Sequence, residues 1–366
     1  MFKRIYVDNF RCLVNFELSV DSINLFLGPN GAGKSTVFDV LQKIQSLLNG
    51  ITVTNLFESD DLTRWQNSPV QLFELEIEGN LGVYKYELRI KHDTLTKQAR
   101  LDYESLWFDN KPLLKFEKDN VQLYDDYHLE GPNFPSTPSR SAVASIPARN
   151  NYTKLAWFIE RFSRFVIVQI NPMLMSENSS QEEAGLTAQA ENFVSWYRHI
   201  SEDQGKTFQI REALKEVIED FDSFRFDKIS DKNRVLYLRF SIGNEKRNYE
   251  YRFSELSEGQ RTLIVLYTLV HYARAEDYTL CIDEPENFLA LPEIQPWLTL
   301  LYDFCSDGKL QALLISHHPE LIDYLALSAG CWFDRESNTP VRVKRITEDD
   351  SGLPISELVA RGWLHG

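Results

Sequence analysis

The chain has 366 residues, 43% hydrophobic and 25% charged, which is enough for one large α/β domain with an insertion or for two or three domains around a substantial core. Its formal charge of −15 argues against general affinity for nucleic acid through a uniformly basic surface, while leaving room for a local basic groove. Cys12, Cys281, Cys305 and Cys331 are scattered without metal-ligand spacing, and the chain shows neither an apolar leader nor a bilayer-length apolar run, so it reads as a cytoplasmic protein with unpaired thiols and no membrane segment.

In chain order, Phe2 to Val7, Leu13 to Val20 and Ile23 to Leu27 read as three strands. Between the first two, Asn9-Phe10-Arg11 makes a turn. Arg11 there either approaches bound phosphate from the edge of the site or is an ordinary exposed turn arginine. The third strand runs into Gly28-Pro29-Asn30-Gly31-Ala32-Gly33-Lys34-Ser35-Thr36, and helix-compatible sequence follows from Val37 to Leu48. A glycine-rich loop between a strand and a helix is the setting of a P-loop. Backbone N–H groups from Asn30 to Thr36 close around phosphate oxygens, and the helix N-terminus adds roughly half a positive charge at the same place. Lys34 then holds the β- and γ-phosphates and the Ser35 hydroxyl ligates Mg²⁺, so ATP and Mg²⁺ are the expected ligands. An accidental match of this kind arises in roughly one chain in a hundred of this length.

Thr52 to Ser68 is polar, and β-rich sequence follows. Val70 to Glu78 and Gly82 to Lys91 read as a hairpin across Gly79-Asn80-Leu81, and Arg100 to Phe108, Leu113 to Phe116 and Val121 to Tyr124 continue the pattern around an Asp109–Pro112 turn. This predicts an antiparallel subdomain inserted after the phosphate loop. Lys85, Arg89, Lys91, Lys97 and Arg100 form either a small basic patch on it or a solvated strand face. Asp125 to Asn151, with four prolines, reads as a long mobile connection. A helix over Asn151 to Arg164 and a strand over Phe165 to Ile170 follow, the strand carrying Gln169 near its end. Met173 to Glu183 reads as loop, Ala190 to Ser201 and Gln209 to Asp220 as helices, and Val235 to Ile242 and Asn248 to Phe253 as strands. The segments divide as 1–50, 51–150, 151–230 and 231–366.

Leu256-Ser257-Glu258-Gly259-Gln260-Arg261 opens a helix through Ala273, with Ser257 as N-cap. Taken alone this is a capped helix start. The buried-strand pattern Tyr278 to Ile282 then ends in Asp283-Glu284-Pro285-Glu286, delivering two adjacent carboxylates suited to a Mg²⁺ contact and a base for water. A third apolar strand, Leu310 to Ile315, ends in Ser316-His317-His318.

In this order the motifs resemble the ABC-type ATPase heads of the RecF, SMC and OLD (overcoming-lysogenization) group, and more closely the stand-alone bacterial AAA-family ATPases with this head. The resemblance covers nearly the whole chain. It implies an α/β fold with a mixed central sheet and flanking helices, an antiparallel β subdomain and a short helical insertion. Gly28 to Thr36 becomes the Walker A loop, Leu256 to Gln260 the signature with Ser257, Gly259 and Gln260 facing nucleotide, Asp283 the Walker B aspartate on Mg²⁺, Glu284 the catalytic glutamate and His317 the switch histidine. Gln169 is the candidate Q-loop glutamine sensing Mg²⁺ and water, with structural hydrogen bonding as the alternative. Glu258 stands where a second glycine is commoner, a charge that would weaken or regulate closure. The wording after Asp283-Glu284 also departs from transporter D-loops. The resemblance further implies an ATP-dependent homodimer. The sequence left after His317 is too short for the TOPRIM nuclease domain of full-length OLD proteins, which points to a separately encoded effector, such as a nuclease in phage defence. The alternative is a RecF-like ATPase on DNA, which the acidic balance does not favour.

Overall fold

In the computed structural model β1 (Phe2–Asp8) and β2 (Phe16–Ser19) form a hairpin, β3 (Ile23–Leu27) runs into the glycine-rich loop, and α1 (Lys34–Leu48) leaves it. The second strand is shorter than its sequence pattern, because Cys12 and Leu13 sit in a tight turn closed by paired backbone bonds between Phe10 and Leu13. The structure describes residues 1–93, 95–147, 151–242, 247–274, 276–347 and 353–362. They fall into two units, Met1–Phe165 with Leu325–Gly366, and Val166–Tyr324, boundaries other than the four segments read from the sequence.

In the first unit α2 (Val53–Leu56) and a 3-10 turn (Ser59–Asp61) interrupt the stretch expected to be only polar loop. β4 (Val70–Gly79), β5 (Gly82–His92), β6 (Ala99–Phe108), β7 (Lys111–Glu117), β8 (Asn120–Tyr124) and β9 (Glu130–Pro135) then build an antiparallel meander. The sheet order is β2-β1-β4-β5-β6-β7-β8-β9. The first two strands are therefore part of the β-rich sheet. The antiparallel subdomain expected after the glycine-rich loop is present, and β1 and β2 extend its sheet, since β1 alternates like β4 and pairs with it from Phe2 to Asp8. Three hairpins turn on two residues of positive φ, Asn80-Leu81, Asp109-Asn110 and Lys118-Asp119, the mirror-image turns that match strand twist. Pro112 consequently lies inside β7 and not in the turn.

The supposed mobile connection is corrected. It contributes β9 to the sheet, and Ser141 to Ile146 is clamped by Glu104; residues 148–150 lie outside the described residues. The fully buried Glu104 carboxylate accepts from the Tyr86 hydroxyl (2.7 Å), the Ser141 hydroxyl (2.6 Å) and the Ala142 N–H (2.6 Å). Burial raises its pKa, partly offset by these donors. α3 (Thr153–Ser163) closes the sheet: Trp157 stacks on Tyr84 with centroids 4.8 Å apart, over the Cβ-free Gly79.

The second unit begins with β10 (Phe165–Val168), then β11 (Asn178–Ser179), α4 (Phe193–Ile200) and α5 (Gln204–Val217). β12 (Phe221–Lys228), β13 (Arg234–Ile242) and β14 (Arg247–Arg252) form an antiparallel sheet with β11. α6 (Glu258–Ala273), β15 (Thr279–Asp283), α7 (Leu291–Ser306), β16 (Gln311–Ile315) and α8 (Pro319–Ala329) follow. β10 lies beside β15, and β15 runs parallel to β16, so the ends of β15 and β16 share one edge. Every residue from Arg261 to Ala273 of α6 is buried except Tyr272, the mark of a core helix. The chain then returns to the first unit, where β17 (Gly330–Asp334) lies parallel to β3 and antiparallel to β18 (Arg342–Arg345), ahead of α9 (Ile355–Arg361).

All four cysteines are buried and none is in a disulfide, and burial pushes the Cys305 thiol up to about 12 and that of Cys331 to about 11, which makes both inert. No helix among the described residues is long and apolar enough to cross a membrane.

His271 on α6 carries a stability prediction. Burial, and then Arg274, lower its pKa from 6.5 to about 4, and neither ring nitrogen has a hydrogen-bond partner. The folded state thus resists a proton that the unfolded chain accepts. The neutral ring's contribution is intact above pH 6.5 and is lost as pH falls toward 4, amounting to about 2 kcal/mol by pH 5. Urea titrations at pH 7 and pH 5 should show His271→Phe losing about 2 kcal/mol less than the parent over that interval.

Candidate functional site

Within the first unit, β3 is buried along its whole length and delivers the chain to Gly28, Gly31 and Gly33, all of positive φ (141°, 80° and 97°). Two of these glycines are required by space as well. A Cβ on Gly28 would stand 2.2 Å from the Phe333 carbonyl oxygen of β17, and one on Gly33 would stand 2.9 Å from Val341 Cγ2 and 3.0 Å from Cys12 Sγ. The loop is therefore pressed against β17 and the segment that follows it. Gly33 precedes α1 without a side-chain cap, the kind of helix start at which anions bind. Lys34 is only 6% exposed, and its ammonium donates to the carbonyls of Gly28 (2.7 Å) and Pro29 (3.1 Å). Asn30, Gly31 and Ser35 are exposed, Thr36 is half-buried with its hydroxyl 3.8 Å from Cys12 Sγ, and Ala32 is packed inward.

Arg11, with φ 49°, donates its backbone N–H to Asp61 O (2.7 Å), while its guanidinium pairs with Asp61 (2.9 Å) and Asp39 (2.5 Å). Asp61 also pairs with Lys43 at 3.0 Å. Of the two readings open in the sequence, the side chain is engaged by carboxylates and ties the turn after β1 to residues 59–61.

Within the second unit, β15 ends at half-buried Asp283 and the chain bends through Glu284, whose φ is 52°. The Glu284 N–H donates to Ile315 O (2.8 Å) at the end of β16, and its carboxylate accepts from Asn287 Nδ2 (2.9 Å). Glu286 joins the two strand ends: one oxygen accepts from the Ser316 hydroxyl (2.6 Å) and the His317 N–H (3.2 Å), and the other is buried without a partner. The base candidate and exposed His317 thus come together on one rigid edge. Gln169 lies just past β10. It is exposed, and its backbone N–H, not its carboxamide, bonds to Ala188 O (2.8 Å).

The α6 N-terminus is a capping box, with Ser257 Oγ accepting from the Gln260 N–H (3.2 Å) and Gln260 Oε1 from the Ser257 N–H (3.1 Å). Gly259 packs so closely on the loop after β15 that a Cβ would stand 2.8 Å from Phe288 O. The Glu258 carboxylate is partly neutralised by Arg261 at 3.7 Å, and Arg261 also donates to Pro172 O (2.7 Å). The sequence flagged neither Glu286 and Asn287 nor Arg335, which donates to Gly31 O in the first unit.

Ser35 in the first unit and Asp283 in the second each carry a hard oxygen donor, the ligand type that Mg²⁺ prefers. Among the described residues, one group of His, Cys, Asp and Glu has metal-like spacing, Glu182, His199 and Glu202, and its Glu182 already pairs with Arg198 at 3.2 Å.

A family model described as "AAA domain, putative AbiEii toxin, Type IV TA system" matches residues 23–323. The OLD nuclease of Thermus scotoductus (strain ATCC 700910 / SA-01) is 21% identical over 369 residues, spanning 96% of this chain and 65% of that protein, so the chain covers just under two thirds of that relative. Solved structures that share the fold include two SMC heads. The SMC head domain from Thermotoga maritima has a TM-score of 0.51 at 13% identity and covers 95% of this chain and 99% of that one. An SMC head bound to the C-winged helix domain of ScpA has a TM-score of 0.57 at 12% identity and covers 94% and 98%.

Proposed function

The chain belongs to this AAA-domain family and is an ABC-type ATPase head of the RecF, SMC and OLD group; from that premise we propose that it hydrolyses ATP as a switch, closing as a homodimer over two nucleotides and opening after hydrolysis. The observation that carries this reading is the shared edge of β15 and β16. Glu284 and His317 emerge there side by side, braced by Glu286 and Asn287.

In this reading Lys34 exchanges the carbonyls of Gly28 and Pro29 for β- and γ-phosphate oxygens, and the N–H groups from Asn30 to Thr36 take the rest. Glu284 accepts the proton of the attacking water, and His317 donates to the γ-phosphate. Ser35 and Asp283 would each offer an oxygen to Mg²⁺, which would supply neutralisation of phosphate charge, and Gln169 would sense its state. Ser257, Gly259 and Gln260 of one subunit cover the nucleotide held by the other. Arg11 serves as a brace at the loop's edge. The four segments 1–50, 51–150, 151–230 and 231–366 are proposed as successive functional parts of the head.

The switch is proposed to govern a separately encoded effector, such as a nuclease in phage defence, in the cytoplasm; the nuclease relative supports this. Local charge speaks against a DNA clamp. Lys85 pairs with Glu76 at 3.4 Å and Arg89 with Glu87 at 2.6 Å, so two of the five basic residues are matched by carboxylates.

The test is mass in solution. With ATP and the Glu284→Gln background, light scattering should report a dimer, and adding Ser257→Arg should return it to a monomer with ATP affinity changed less than about threefold, because the bulky cation fills the contact surface and leaves the phosphate loop intact. A dimer that survives Ser257→Arg, or no ATP-dependent dimer at all, overturns the sandwich.

A further inference from the structure

The phosphate loop grips only phosphates, and none of the motifs identifies what holds the base. In the first unit, two segments flank this loop. β17 presses on Gly28 through Phe333 O, and the stretch after it presses on Gly33 through Val341 and sends Arg335 to donate to Gly31 O (3.1 Å) and Thr339 O (3.1 Å). The turn after α2 is pinned by Arg11 and Asp61, by the Thr63 N–H donating to Asn9 Oδ1 (3.2 Å), and by the Gln66 N–H donating to Thr63 O (3.1 Å). Where the two segments meet, the Arg335 guanidinium lies over the Trp65 ring, 5.5 Å from its centroid.

Trp65 is 38% exposed on a turn whose backbone is firmly held. A large indole left in water beside a nucleotide loop, with a cation pinned to that loop on one side, is pre-organised to stack a further flat ring. Resting on the ATP-binding reading above, we propose that Trp65 is the stacking platform for the purine base of the nucleotide, and that Arg335 is a positioning residue that holds the indole in register with Gly31.

The experiment compares three ligands by calorimetry on the full chain: ATP, ADP and inorganic tripolyphosphate, which carries the charge without the base. Trp65→Ala should weaken ATP and ADP about tenfold or more, in the range of one base–aromatic stack, and leave tripolyphosphate within about twofold. Trp65→Phe should restore ATP and ADP to within about threefold of the parent. The platform is overturned if Trp65→Ala leaves ATP within about twofold, or if tripolyphosphate weakens as much as ATP and Trp65→Phe restores neither, which would make Trp65 a scaffold of the loop. A parent that binds none of the three overturns the nucleotide reading itself, an outcome distinct from either.

Discussion

Glu284→Gln is expected to slow ATP hydrolysis by at least about a hundredfold while ATP still binds at close to parental affinity, the loss typical of removing a general base. The substitution keeps the shape of the side chain and an oxygen for Asn287 Nδ2, which approaches to 2.9 Å. It also leaves the backbone bond from Glu284 to Ile315 O, so the left-handed turn at φ 52° persists. What disappears is the ability to take a proton from water. Phosphate release measured beside nucleotide binding separates the two effects, and parental turnover in this variant would assign the base elsewhere.

Lys34→Ala should act one step earlier and abolish binding, raising the Kd for ATP about a hundredfold or more. The Lys34 ammonium is buried within the loop that is to receive the triphosphate, where a charge is screened far less than at the surface. Its present partners, the Gly28 and Pro29 carbonyls, are backbone groups of the loop itself, so circular dichroism of the variant should match the parent. Retention of ATP affinity within about fivefold would remove the loop from the mechanism. The pair of variants is diagnostic because one loses the ligand and the other keeps it without turnover.

Motifs with local causes were legible. α6 starts one residue after Ser257, since a serine N-cap with Gln260 three positions on is a short-range signal. The hairpin at Asn80-Leu81 was readable from its flanking alternation. β12 was missed, because Phe221–Lys228 mixes aromatic and charged residues and is half-buried through most of its length. α7 was missed for its prolines: Pro292 falls in the first turn, where its lacking N–H costs nothing, but Pro296 lies inside the helix. The site's braces were illegible for a different reason. Glu286 meets Ser316 across 30 residues and Arg335 meets Gly31 across 304, distances at which no spacing rule operates.

The close fit of Gly28 beneath Phe333 has a bearing on synthesis. The phosphate cradle is encoded in the first tenth of the chain, but its wall is contributed by a strand translated some three hundred residues later. A nascent chain still on the ribosome therefore carries an unwalled cradle until β17 emerges, and folding of the head can draw on ligand binding only from that point on.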